Sequence, residues 1–415
     1  MLRIVLALAA LPPLVATAFP SASAPCLRPV KPGTRVQGEV RVCPGRWRVA
    51  DPREEGVLVV SAPGTRLDLR GVTLESGDTA SGRLVGVGVA ARGVDAVEIV
   101  GGTIRGYRHG VRLEGGARHR VAGSDLSGAG RDADGAGLVL RGVREATVTD
   151  VTARGGAYGV VLAGTGRTLL ARIAAGRTAS AGIVLREGSD SNVVVDSDVR
   201  YSGVGVLLAG APSSGNLVAR NDAAGASRSA FEAAAGWSNS FLDNRADSSL
   251  VGFRFDGATA TTLRGNTIVG TREAAVTITH GGDNAVAQNT IIGGGDGIRL
   301  SAPRAGAPPS RGYRVDDNVL ALVARGLVLE RSTRVRARGN VFDGVGTGLV
   351  ADSVSAAGAE VRGNVFLRAE GAYVAAPGLD AGGNYWGAAD STATRAKLRG
   401  RILLDPWRSA REAGF

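Results

Sequence analysis

The sequence predicts an all-β solenoid of about 13 stacked coils, 22–24 residues each, closed by a cap at either end. Three observations carry this. First, a short motif, Gly or Ala followed by apolar-x-apolar, returns along most of the chain, from GVRL at 110, GLVL at 137 and GVVL at 159 to GLVL at 326, GLVA at 348 and GAYV at 371. Its spacings are 27, 22, 23, 23, 25, 22, 23, 22, 29, 22 and 23 residues. A period near 22 means stacked units, none of which can bury its apolar face alone. Second, Asn221, Asn244, Asn266, Asn289, Asn318, Asn340, Asn364 and Asn384 form a column in the same register, with Asp150 and Asp196 at similar offsets earlier. Third, each unit reads as two or three runs of period 2, rich in Val, Ile and Thr and separated by Gly, Asn and Asp. These are strand and turn signals, with no stretch in the repeat long enough for a helix.

The first 24 residues read as an export leader. Arg3 precedes an apolar run from Ile4 to Val15, and Ala16-Thr17-Ala18 offers small residues for cleavage. No later stretch approaches ~18 consecutive apolar residues, so no transmembrane segment is expected. The expectation is a secreted or cell-surface protein. Residues 25–56 are assigned to an N-terminal cap. It carries Cys26 and Cys43, the chain's two cysteines, for which an exported protein favours a disulfide; no His stands nearby for a two-Cys metal site. Closing that loop would contribute roughly 3 kcal/mol in the chain-entropy model.

Residues 57–390 hold the coils. Strands paired above and below at ~4.8 Å consume every internal edge. The Asn column gains a role in such a stack. Asn tolerates the left-handed backbone of a sharp corner, and stacked amides hydrogen-bond from coil to coil. Two residues after the later asparagines comes an inward apolar column, Ile268, Ile291, Leu320, Phe342, Phe366 and Trp386. Its largest member stands last, where the core would otherwise meet water, and is expected to plug the stack rather than hold a sugar. In residues 391–415 a short helix over 391–399 is expected with Ser391 as its N-cap, and Leu403, Leu404 and Trp407 are expected to fold over the opening.

On these columns, and on Asn384-Tyr385-Trp386-Gly387 and Asp405-Pro406-Trp407, the chain resembles right-handed parallel β-helix repeat proteins, the pectin-lyase-like class that includes NosD-like secreted proteins. The resemblance implies a fold and leaves the activity open, since the class holds lyases, hydrolases, epimerases, adhesins and non-enzymes. The class's motifs are mostly missing. His109-Gly110 matches one element of the polygalacturonase set, but the helix region has no lysine, and no Asp-Pro-His motif occurs. A NosD-like copper role would call for Met and His; the chain has one Met and three His.

Net charge is +11, nearly all from arginine, since Lys occurs only at Lys31 and Lys397. Such a field favours polyanions. The arginines lack the clusters and interleaved aromatics of a nucleic-acid surface, so an acidic polysaccharide or cell-envelope glycan is the expected partner, and a monomer the expected state. The 27-residue interval carries the insertion SGAGRDADGAG at 127–137, flanked by His109 and Tyr158 on coils either side, two rungs or ~10 Å apart. Here His109 and Tyr158 are the candidate proton-transfer pair. Arg105, Tyr107, Arg108 and Arg131 are candidates to bind a uronate, and Asp132 and Asp134 to hold Ca²⁺, no cofactor being required. A solvated turn is the plainer reading of the same residues.

A second insertion, at 301–312, reads as a surface loop, and Asp51, Glu54 and Glu55 as solvated charges. Trp237 interrupts a turn: burial against neighbouring coils is the general tendency, and exposure would make it a sugar platform. Two functions stay open, an acidic-glycan protein with a lyase- or hydrolase-like flank and a non-catalytic surface scaffold.

Overall fold

The computed structural model describes residues 26–77, 84–131, 134–302, 310–387 and 390–408. The expected leader, Asp132 and most of the 301–312 insertion lie outside the described residues. The chain winds into about 15 turns, every strand pairing in parallel with its counterparts in the turns before and after. One face is built of six-residue strands such as His109–Glu114, Ala136–Arg141 and Tyr158–Ala163. A second face is built of three-residue strands such as Arg120–Ala122 and Thr147–Thr149. We call these the long and short faces. The third face begins with full strands at Gly45–Arg48, Val72–Glu75 and Thr103–Arg105, then thins to single bridges through Asp125, Thr152, Ala174, Asp198, Asp222 and Arg245. In Thr267–Thr279, Thr290–Ser301 and Val319–Glu330 third and long faces run together as one strand, and they part again at Val341–Asp343 and Val345–Ala351. Corner A leads from long to short face, corner B from short to third, and corner C from third back to long.

The repeat glycines serve close approach. A Cβ on Gly137 would lie 2.7 Å from the Ala153 Cβ and 2.9 Å from the Leu126 carbonyl oxygen, so only hydrogen fits where the long strand turns over the core. The same position is filled by Gly88, one unit before the first motif read from sequence, and the stack starts earlier still, at Thr34–Val36, within the segment expected as a cap. At the other end the motif at 371 shifts. Leu349 pairs with Val374, so Tyr373 rather than Gly371 stands above Gly348, across a bulge.

The Asn column is a continuous ladder at corner B. Asn244 donates its backbone N–H to the Asn266 Oδ1 at 2.8 Å, and its Nδ2 to that same oxygen at 3.1 Å and to the Val218 carbonyl at 2.9 Å. Asn266, Asn289, Asn318, Asn340 and Asn364 repeat the pattern up to Asn384. Each amide satisfies buried backbone groups that water cannot reach. Two expectations need correction. The left-handed residue is the one before each Asn, for example Asp243 (φ 53°), Gln288 (φ 54°) and Asp317 (φ 57°). Asp150 and Asp196 sit in that left-handed column, not in the ladder. They pair outward with Arg172 at 2.7 and 2.8 Å and with Arg220 at 2.7 and 2.9 Å. Below Asn221 the ladder position passes to Ser197, whose Oγ accepts from Ile173. A second ladder, unread in the sequence, lies at corner A: Asn192, Asn216 and Asn239 link in the same way.

The core is apolar along its length. Phe231 stacks on Phe253 at 4.7 Å, and Phe342, Phe366 and Trp386 form a closing stack at 4.7 and 4.8 Å. Trp386 is fully buried at the end of its column, a plug as expected. Over it, Leu404 is buried and Trp407 partly so, while Leu403 points to solvent. The terminal helix spans Ser391–Ala396 and its N-cap is Asp390, one residue earlier than expected, accepting from the Ala393 N–H at 2.8 Å. Cys26 and Cys43 are joined in a disulfide.

Candidate functional site

Of the residues singled out around 105–158, His109 and Tyr158 stand on the long face, Arg105 ends a third-face strand, and Arg108 meets Asp134 at corner C. His109 pairs with Ala136 and Ala136 with Tyr158, which places His109 and Tyr158 two rungs apart in one outward row. His109 is only 8% exposed, and its Nδ1 has no hydrogen-bond partner among the described residues. Burial, then the charges of Arg112 and Arg108, lowers its pKa to about 4, so the imidazole is neutral at neutral pH. Tyr158 rests on an apolar patch of Ala136, Val139, Val161, Ala181 and Val184.

The expected binding arginines are already engaged. Arg108 pairs with Glu54 at 3.1 Å and with Asp134 at 3.1 Å. Arg105 donates to Glu75 at 2.7 Å and holds that carboxyl below the usual range, with Arg46 and Arg48 at 3.4 Å on its other side. Arg131 donates to the Gly155 carbonyl at 3.1 Å. Tyr107 is a correction: it is fully buried and donates its hydroxyl to the Val49 carbonyl at 2.8 Å, while burial pushes its phenol far above the usual range. It anchors the N-terminal turns and cannot reach a ligand. Asp51, expected in solvent, is buried too. Its carboxylate accepts from the backbone N–H groups of Glu55, Gly56 and Val87 at 3.2, 2.9 and 2.9 Å. Asp134 is committed to Arg108, and among the described residues no three His, Cys, Asp or Glu side chains gather as a metal site.

A different surface has the opposite character. Trp237, on corner A, is 56% exposed, against the general tendency to burial. It heads an outward row: Trp237 bridges to Thr259, Thr259 to Gly282, Gly282 to Arg311, and Arg311 pairs with Thr333. Four rung steps make this row ~19 Å long. A groove of about 480 Å³ runs along it, from Thr259 past His280, Gly281, Gly282 and Asp283 to Arg311, Thr333 and Arg334. Gly282 leaves its floor open, the nearest atom to an added Cβ lying 3.6 Å away. Arg311 and Arg334 are both exposed and make no ion pair among the described residues. His280, at the groove's edge, faces Asp256 with its Nδ1 at 3.2 Å.

Sequence reasoning found Trp237 and missed the groove. The available signal was the company of the tryptophan: one and two periods on, its row holds Thr259 and Gly282, residues of a solvated corner.

Among solved structures, the Dettilon tailspike protein is 13% identical with a TM-score of 0.43, over 88% of this chain; the chain spans 62% of the tailspike's length. The surface adhesin PfbA of Streptococcus pneumoniae is 14% identical with a TM-score of 0.44, over 82% of this chain and 91% of the adhesin. The A-module of an Azotobacter vinelandii mannuronan C-5 epimerase is 12% identical with a TM-score of 0.38, over 90% and 91%. No protein of curated function matches the sequence significantly. The family described as "Right handed beta helix region" matches residues 87–246 and 237–366, more than half of the chain. With its parallel turns and glycine-led strands, this chain belongs to the right-handed β-helix family.

Proposed function

We propose that this is an exported β-helix protein that binds an acidic polysaccharide along corner A. The observation that carries the reading is the exposed Trp237 one rung before a groove lined by one acid, Asp283, and by Arg311 and Arg334, which make no ion pair among the described residues. An exposed indole offers an apolar face on which a pyranose ring stacks. Arg311 and Arg334 offer planar guanidinium forks for the carboxylates of a uronate chain. The net charge of +11 draws such a chain toward the surface. Export is supported by the Cys26–Cys43 disulfide, and among the described residues no helix is long and apolar enough to cross a membrane.

The test is retention of the purified protein in gels containing pectate, alginate, hyaluronan or neutral dextran. Retardation by at least one acidic polymer, weakened by salt and absent with dextran, is expected. Equal mobility in all four would overturn the reading and leave a structural scaffold.

A further inference from the structure

From Gly106 to Gly344 corner C turns on a left-handed residue in each coil, and most of the row is glycine. Gly106, Gly128, Gly155, Gly225, Gly270, Gly293 and Gly344 occupy it with positive φ. Four rungs break the rule, Arg177 (φ 60°), Tyr201 (φ 59°), Ser248 (φ 53°) and Leu322 (φ 57°), and of these only Arg177 and Tyr201 are consecutive and pair a cation with an aromatic ring. A bulky side chain is disfavoured in that conformation, and this row gives no packing reason to accept it, because Tyr201 is 61% exposed.

The ring nonetheless has a fixed seat. A Cβ on Gly225, the next residue in the row, would lie 2.7 Å from the Tyr201 Cδ1 and 2.8 Å from Cε1. The aromatic ring therefore rests against bare glycine backbone and turns the rest of its surface to solvent. Beside it, Arg200 is held by Asp198 at 2.9 and 3.0 Å, and Arg154 reaches the same carboxylate at 3.4 Å. Arg177, one rung below Tyr201, is exposed and makes no ion pair among the described residues. An aromatic surface and a free guanidinium thus stand one rung, ~4.8 Å, apart on a rigid corner. This is the same pairing of groups as on corner A, at the opposite edge of the long face.

We propose that Tyr201 and Arg177 form a second platform for an acidic sugar, with the pyranose against the tyrosine ring and its carboxylate on Arg177. This rests on the acidic-glycan reading of corner A, and adds a second point of attachment for one long chain or for two. Two linked contacts raise the affinity for a polymer far more than for a short oligomer.

The experiment compares wild type, Trp237→Ala, Tyr201→Ala and the double variant by titration with alginate polymer and with alginate trimer. For the polymer, each single variant is expected to bind about tenfold more weakly, as loss of one aromatic contact implies, and the double variant to lose binding. For the trimer, a single variant keeps the untouched site. Tyr201→Phe is expected to retain affinity, whereas Gly225→Ala, which dislodges the ring, follows Tyr201→Ala. Tyr201→Gly separates function from folding: it relieves the backbone and melts higher while losing polymer affinity. If Trp237→Ala weakens binding and Tyr201→Ala does not, this inference falls and corner A stands. If wild type binds no pectate, alginate or hyaluronan at all, both fall.

Discussion

Two arginine-bearing surfaces of this protein differ in what their charge is used for. Near the N-terminal end of the stack, on the third face and the corner that leads from it to the long face, Arg105, Arg108, Arg46 and Arg48 face Glu75, Glu54 and Asp134, and Arg131 is tied to a carbonyl. On corner A, Arg311 and Arg334 face a groove without an ion-pair partner among the described residues. In the sequence both are scattered arginines with no partner in view. Charge that is neutralised at home holds turns together, and charge left unpaired is what a polyanion meets. The first surface is accordingly read as a clasp over the opening turns, and the second as a docking surface.

The comparison can be broken most forcefully at Asp51. Replacing it with Ala strands three backbone N–H groups, two of them 2.9 Å from its carboxylate. Such a loss costs roughly 3 kcal/mol or more. Denaturant unfolding should show this with glycan retention unchanged at temperatures where the variant is folded. A parallel loss of retention in folded protein would mean that the clasp binds ligand after all.

His109 gives the next effect. Its pKa is about 4 in the folded protein, below the ordinary 6.5, so its contribution is complete above pH 6.5. As pH falls, the unfolded chain takes up a proton that the folded chain refuses, and stability declines until about pH 4. The shift corresponds to about 3 kcal/mol at most. Unfolding midpoints between pH 7 and 4 should fall less steeply for His109→Gln than for wild type; identical slopes would mean that His109 titrates normally.

On corner A, Trp237→Ala should weaken pectate or alginate binding about tenfold, ~1.4 kcal/mol, and leave the melting temperature nearly unchanged. A fall in stability with unchanged binding would show the indole to be packing. The smallest effect belongs to Arg311→Gln with Arg334→Gln, a few-fold loss that disappears as salt is raised. The matched pair Arg105→Gln with Arg108→Gln should leave binding unaltered. If that pair loses affinity equally, free and engaged arginines do not differ as argued.

The inward columns were legible because a period near 22 repeats apolar residues in step, and eight asparagines in register need a common cause. The first turns were not. There the ladder position holds Cys43, Arg70, Gly102, Ser124 and Val151, which share no side-chain chemistry, although the backbone winds alike. Asp150 and Asp196 misled because the left-handed column lies one residue from the ladder and favours overlapping residue types. The clasp was hidden for a different reason. Arg108 and Glu54 stand 54 residues apart, so neither shows locally that it has a partner. Trp237 was visible, but its exposure depends on whether its corner is covered, which the groove's geometry decides.

The corner-B ladder is directional, each amide taking its bond from the turn before and extending one to the turn after. Excising one whole turn, for instance 244–265, would join like to like, since Asn221 would then meet Asn266 as it now meets Asn244. Removing half a turn would instead set strands against corners throughout the remainder. The length of this molecule is therefore quantised: descendants can grow or shrink in steps of one turn while the two ends, disulfide and tryptophan, stay as they are.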